Sequence, residues 1–239
     1  MNSIKKKRRR HMEVKRLFRR EDGKKVMEIN VLPAKYCTFR CVFCPLGAQG
    51  TQTEEALHFE ATETFLQDLA RQIENEEPDV LFINSMGEAF INDRLGEIIS
   101  LSKGKGLEVS LYTNGYLLGN PGYAALAHKC DEVSGEIKAI DDTSFRKLQR
   151  PPEGYSLKEY IDRMVRFRKT YRGTFTVYVT LMKGINDDPQ SLQSIRHTLE
   201  RLAPSRVVLE TFTDGKFRDV WGIPEDKMED LRKSIQGDR

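Results

Sequence analysis

The chain is 239 residues long with 38% hydrophobic and 31% charged residues, which excludes low-complexity and collagen-like classes and leaves enough chain for one large core. No run of about 18 apolar residues occurs, so neither a membrane span nor a membrane partner is expected. The net charge of +3 hides an asymmetry, because residues 1–25 carry 12 Lys/Arg against 3 acids while the rest carries 27 against 33.

Residues 1–25 therefore read as a basic, disordered N-terminal arm, and 26–239 as the folded domain. Lys5–Arg10 is six consecutive cations, which repel one another and resist packing. A nucleic-acid arm is the functional alternative, and His11-Met12 has the form of a cloning junction. From Val26 short apolar runs alternate with amphipathic ones. Strands are predicted at Val26–Leu32, Val80–Ile83, Glu108–Tyr112, Glu132–Ile137, Phe175–Leu181 and Val207–Thr211. Helices are predicted at Thr62–Asn75, where Phe65, Leu66, Leu69 and Ile73 share a face, and at Leu95–Lys103 and Tyr123–Lys129. Further helices are predicted at Asp142–Gln149, Leu157–Tyr171, Pro189–Leu202 and Glu225–Ile235. Six strand–helix units in alternation argue for an α/β fold with a parallel sheet and outer helices. An open doubly wound sheet and a partly closed barrel both satisfy that pattern.

In parallel α/β folds, function collects in the loops that follow the strands. The first such loop holds Cys37, Cys41 and Cys44. The second holds Ser85-Met86-Gly87-Glu88 and the third Thr113-Asn114-Gly115. The fourth strand runs into Glu136-Ile137-Lys138, the fifth into Lys183–Asp187, and the sixth ends at Glu210-Thr211. One composite site on one rim is expected. The spacing C-x3-C-x2-C gathers three soft thiolates, which favour zinc, copper(I) or an iron–sulfur cluster. A structural zinc needs a fourth ligand, and Cys130, His58, His128 and His197 all lie at the wrong spacing. Three thiolates on a four-iron cluster leave one iron open to an external ligand, which catalysis needs. Cys130 reads as a buried bystander thiol. Trp221 is expected to pack at the C-terminal helix.

The segment Cys37-Thr38-Phe39-Arg40-Cys41-Val42-Phe43-Cys44 resembles the signature of the radical S-adenosylmethionine (radical SAM) superfamily, with Phe43 at its aromatic position. Gly87-Glu88 and Thr113-Asn114-Gly115 resemble its motifs after the second and third strands. Cys44-Pro45-Leu46-Gly47, Arg150-Pro151 and Lys183–Asp187 are similar to the short iron–sulfur oxidoreductase branch that includes wyosine-type tRNA-modifying enzymes. Ile137–Asp141 instead resembles the glycyl-radical activating enzymes. Two departures stand out. Ala89 follows Glu88 where proline is common, and Thr211–Phe217 replaces a proline-rich segment that faces substrate.

The resemblance implies a partial (β/α)6 TIM-type barrel. It implies a [4Fe-4S] cluster on Cys37, Cys41 and Cys44, and S-adenosyl-L-methionine bound at the open iron. One-electron cleavage would then give a 5′-deoxyadenosyl radical that takes hydrogen from a substrate. The implied cofactor contacts are Phe43 near adenine, Gly87 and Glu88 at the methionine amino group, Thr113 and Asn114 at the ribose or methionine end, Glu136 on the ribose hydroxyls and Lys138 on the methionine carboxylate. Lys183 and Asn186 are candidates on the substrate side. A low-potential electron donor of flavodoxin or ferredoxin type and a reducing, cytoplasmic setting are implied as well. The substrate is left among a tRNA base, a glycyl-radical protein and a small molecule. A non-enzymatic zinc- and nucleic-acid-binding protein is the rival from another class.

Overall fold

The computed structural model describes residues 11–47, 49–213 and 215–236. Strands β1 (Glu13–Arg19) and β2 (Lys25–Asn30) form a hairpin. Two-residue strands β3 (Tyr36–Cys37) and β4 (Thr51–Gln52) bracket the cysteine loop. Then follow α1 (Ala61–Glu76), β5 (Val80–Ile83), α2 (Leu95–Gly104), β6 (Glu108–Tyr112), α3 (Pro121–Ala127) and β7 (Glu132–Ile137). After α4 (Asp142–Ser144) come α5 (Leu157–Thr170), β8 (Thr174–Thr180), α6 (Pro189–Leu202), β9 (Arg206–Glu210), α7 (Gly215–Trp221) and α8 (Glu225–Gln236). The main sheet runs β1-β2-β5-β6-β7-β8-β9. Only the β1–β2 pair is antiparallel; the six strands from β2 to β9 are parallel. This is an α/β fold with a mostly parallel sheet flanked by helices. No described helix is long and apolar enough to cross a membrane.

Strand alternation separates two faces. Leu81, Ile83, Val109, Leu111, Val133, Phe175, Val177 and Val179 pack in one core with Leu69, Ile98, Met164 and Ile195 of the helices. The alternate positions include Glu28, Asn30, Phe82, Ser110, Tyr112, Ser134, Glu136, Thr176, Tyr178, Thr180 and Glu210. An open doubly wound sheet buries both faces under helices and is apolar on both. Here one face is polar and lines the interior, which identifies the partial barrel. Burying a Val or Leu on the outer face is worth about 1.5–3 kcal/mol. The helices start where the chain supplies acceptors. Ser156 caps α5 through Glu159 N at 3.1 Å, and Asp188 caps α6 through Gln190 N and Ser191 N.

The basic arm departs from the sequence expectation. Lys5–Arg10 lies outside the described residues, but Glu13–Arg19 is a strand and not a disordered segment. Met12, read as a junction residue, is buried and accepts from Thr62 Oγ1 at 3.7 Å. Glu28 on β2 is 1% exposed, and Lys15 Nζ and Arg16 Nε each reach it at 2.5 Å. At the hairpin tip, Arg20 donates two hydrogen bonds to Glu132 and Lys24 two to Glu108. Those acids begin β7 and β6, so the hairpin tip sits beneath the N-terminal ends of the strands, opposite the cysteine loop. Five of the six described cations of the arm answer acids distant in sequence, and a count along the chain cannot see such pairing.

Smaller differences follow from local chemistry. The third helix starts at Pro121 because the Asn120 side chain caps Gly122 N at 2.9 Å. The predicted Asp142–Gln149 helix opens into a wide π turn over Phe145–Gln149. The segment expected to be a loop at Thr211–Phe217 contains the start of α7.

Candidate active site at the strand ends

The cysteine loop is fixed at both flanks. Arg40 N donates to Gln149 O at 3.1 Å and Val42 N to Leu148 O at 2.9 Å, which ties the loop to the π turn. Phe43 packs with Leu148 and Met182, so an apolar wedge holds the middle of the motif. Cys37, Cys41 and Cys44 all line one cavity of about 170 Å³, together with Phe39, Phe43, Gly87, Asn114, Glu136 and Lys138. Burial pushes the Cys37 thiol up to about 11 and also raises Cys41. Thiols so held give up their protons when a metal takes them.

No three described His, Cys, Asp or Glu side chains are grouped as a single metal ion requires. A four-iron cluster places each thiolate on a different iron, so its ligands stand farther apart than the ligands of one ion. Three thiols lining one cavity fit such a cluster, with one iron left for an external ligand.

The other predicted residues divide into those that line the cavity and those that brace it. Glu136 and Lys138, two apart along the chain, both reach it, and Lys138 Nζ stands 2.7 Å from Glu136 Oε2. Burial pulls the Lys138 ammonium down, but Glu136 outweighs it and holds the group above its ordinary range. Lys138 also lies 5.3 Å from the centre of the Phe43 ring. Asn114 lines the cavity and donates to Thr38 Oγ1 at 2.8 Å and to Cys37 Sγ at 3.7 Å.

Glu88 and Thr113 are placed differently from the expectation. Neither lines the cavity. Glu88 is fully buried and accepts from Thr113 Oγ1 at 2.8 Å and Asn114 N at 3.1 Å. The pair holds the turn that presents Asn114. Gly87 does line the cavity, yet its requirement for glycine comes from inside the protein. Its φ is +128°, and a Cβ there would stand 1.8 Å from Tyr36 O. Glu88 N donates to that same carbonyl at 2.8 Å, so Gly87 lets the second-strand loop dock on the cysteine loop.

Asn186 is buried in its own turn, accepting from Met182 N and donating to Thr180 O, and Lys183 is exposed. Neither lines the cavity. Cys130 is a buried core thiol, as expected. Trp221 stacks on Phe217 at 5.8 Å and lies beside Phe212, close to the cysteine loop's wedge.

Four residues beside the site had no role assigned from the sequence, although Glu210 was noted at the end of the sixth strand. Tyr112 donates to Glu136 Oε1 at 2.7 Å. The Tyr160 hydroxyl of α5 sits between Asn114 O and Glu136 O, which share its one proton, so it ties two strand ends together. Lys35 lines the cavity and donates to Gly47 O. Glu210 lines a second hollow of about 440 Å³ that continues from the first past Phe43, Glu136 and Lys138. Tyr112 and Glu210 carry a readable signal, since each is a polar residue in register with other polar positions near a strand's C-terminal end. A further hollow of about 480 Å³ beside α6 and β9 contains none of these groups.

Comparison with known proteins agrees with this geometry. A UPF0026 protein of Helicobacter pylori is 28% identical over 194 residues, covering 78% of this chain and 62% of that protein. A UPF0026 protein of Methanocaldococcus jannaschii is 24% identical over 190 residues, covering 78% and 59%. The chain spans about one third to three fifths of the length of the curated relatives it matches. Among solved structures, TYW1 with a lysine-pyruvate adduct bound has a similar fold, with a TM-score of 0.62 at 17% identity, covering 88% of this chain and 72% of that one. The radical SAM superfamily model matches residues 31–195, a span that runs from the end of β2 into α6 and holds all three loop cysteines. The chain therefore belongs to the radical SAM superfamily.

Proposed function

We propose that this protein is a radical SAM enzyme in which Cys37, Cys41 and Cys44 hold a [4Fe-4S] cluster and the adjoining cavity receives S-adenosylmethionine. The observation that carries this reading is the convergence of three thiols on a cavity that also presents a Lys–Glu pair and an Asn. When bound, the cofactor pair supplies a 5′-deoxyadenosyl radical by one-electron cleavage. The chain's own residues orient and shield that chemistry. The Lys138 ammonium offers a charge partner for a carboxylate. Glu136, fixed by Tyr112 and Lys138, offers an acceptor for hydroxyls. Asn114 is aimed by Glu88 and Tyr160. The rings of Phe39 and Phe43 keep water from one side of the cavity. Hydrogen would be taken from a substrate lodged in the 440 Å³ hollow, with electrons from a flavodoxin- or ferredoxin-type donor.

The described cations of the arm lend a nucleic-acid substrate little support from charge. Lys15, Arg16, Arg20, Lys24 and Lys25 are spent on Glu28, Glu132, Glu108 and Glu76. Anaerobic reconstitution tests the proposal. Wild type is expected to gain visible iron–sulfur absorbance and, with a reductant, to release 5′-deoxyadenosine. A Cys37→Ala, Cys41→Ala, Cys44→Ala variant should do neither. A wild-type protein that takes up one zinc and no iron refutes it.

A further inference from the structure

The hollow beyond the cysteine cavity has a composition that selects charge. Its walls include the rings of Phe43, Phe82, Tyr112, Tyr178 and Phe212, and the carboxylate of Glu210. Tyr112 and Tyr178 meet edge to face at 5.2 Å, and Phe82 stands 6.5 Å from Tyr112. The hollow's cation, Lys138, is engaged with Glu136 at 2.7 Å, and the other Glu136 oxygen accepts from Tyr112. Glu210 is different. Its Oε1 accepts from Thr180 Oγ1 at 2.9 Å, while Oε2 accepts no hydrogen bond among the described residues. Burial, with the Glu210 charge adding to it, raises Tyr178, which places that charge against the same aromatic wall.

We propose that this hollow is a recognition site for a substrate bearing an ammonium or guanidinium group, with Glu210 as its charge partner and Tyr112, Tyr178 and Phe212 as the faces it packs against. A carboxylate guest would meet two carboxylates, Glu136 and Glu210, against the single ammonium of Lys138, which Glu136 already engages. A neutral guest could donate a hydrogen bond at most and would leave the desolvated Glu210 charge without a counter-ion. A cation answers Glu210 and is attracted by ring faces besides. The assignment deepens the radical SAM reading and rests on it, because the hydrogen to be removed must lie beside the cysteine cavity.

S-adenosylmethionine is itself cationic, so the test is run with the reconstituted full-length protein saturated with it. Calorimetry would compare pentylammonium with pentanoate and pentanol, which match it in length. Pentylammonium is expected to bind about tenfold more tightly than either, and Glu210→Gln to weaken it about tenfold, as loss of a partly desolvated charge partner does. Cluster absorbance and cofactor affinity should be unchanged in that variant. Should Glu210→Gln fail to fold, Tyr178→Leu is expected to weaken the same probe by removing a ring face. Equal binding of pentanoate, equal binding to Glu210→Gln, or displacement of the cofactor by pentylammonium overturns the proposal. A wild-type protein that takes up no iron defeats the radical SAM reading instead, while the preference for pentylammonium can still be measured without cofactor.

Discussion

Glu88 shows how a residue expected at the cofactor can turn its carboxylate inward to brace a neighbouring loop. The Gly-Glu pair was legible as a loop motif, and its proximity to the cysteines was the expected outcome. The sequence had no means to show that the carboxylate turns inward to Thr113 and Asn114, because that depends on two strands being neighbours. The consequence is measurable. Burial pushes the Glu88 carboxyl up to about 7, against the donors that pull it down. Between the ordinary value of 4.5 and that figure the folded protein keeps a proton that the unfolded chain releases. Stability therefore falls as pH rises through that window. Glu88→Gln cannot ionise and should lose this part of the slope. Melting temperatures of both proteins, taken from about pH 5 to 8, check it, since parallel curves would contradict the assignment.

Strand β1 of the hairpin is the element that the sequence concealed most fully. It was read as part of the basic arm, and its alternation was masked by the adjacent cations Lys15-Arg16 and Arg19-Arg20. Strand β1 also covers the edge of β2, which would otherwise expose unpaired backbone groups. Removing residues 1–24 would strip Glu28, Glu108 and Glu132 of their cations. The expected cost is about 3–5 kcal/mol for the buried Glu28 alone. Denaturant unfolding of the truncated chain reads it, and a midpoint equal to wild type would show that the hairpin is only appended. By contrast, the boundaries of α1, α2, α5 and α6 were legible nearly to the residue. Each has a strongly periodic apolar face, and α5 and α6 start at a capping Ser or Asp.

At the scale of the whole molecule, the two faces of the sheet do different work, and their tolerance to change should differ. Leu111→Ala, on the helix-packed face, is expected to cost about 2–5 kcal/mol. Thr176→Val, on the interior polar face, should stay within about 1 kcal/mol. Urea unfolding distinguishes them, and equal losses would contradict the division. The sequence by itself determined the α/β class, the order of the six parallel strands' units and the cysteine triplet, because each is written in local periodicity and spacing. It also marked Asn114, Glu136 and Lys138, which occupy strand ends and reach the cavity through regular backbone geometry. Only the tertiary structure decided that the polar face closes around an interior, that Glu88 and Thr113 brace the site from behind, and that Glu210 faces the hollow beside it. Those outcomes depend on which strands lie next to one another, and neighbours in a parallel sheet are separated by a whole helix of sequence.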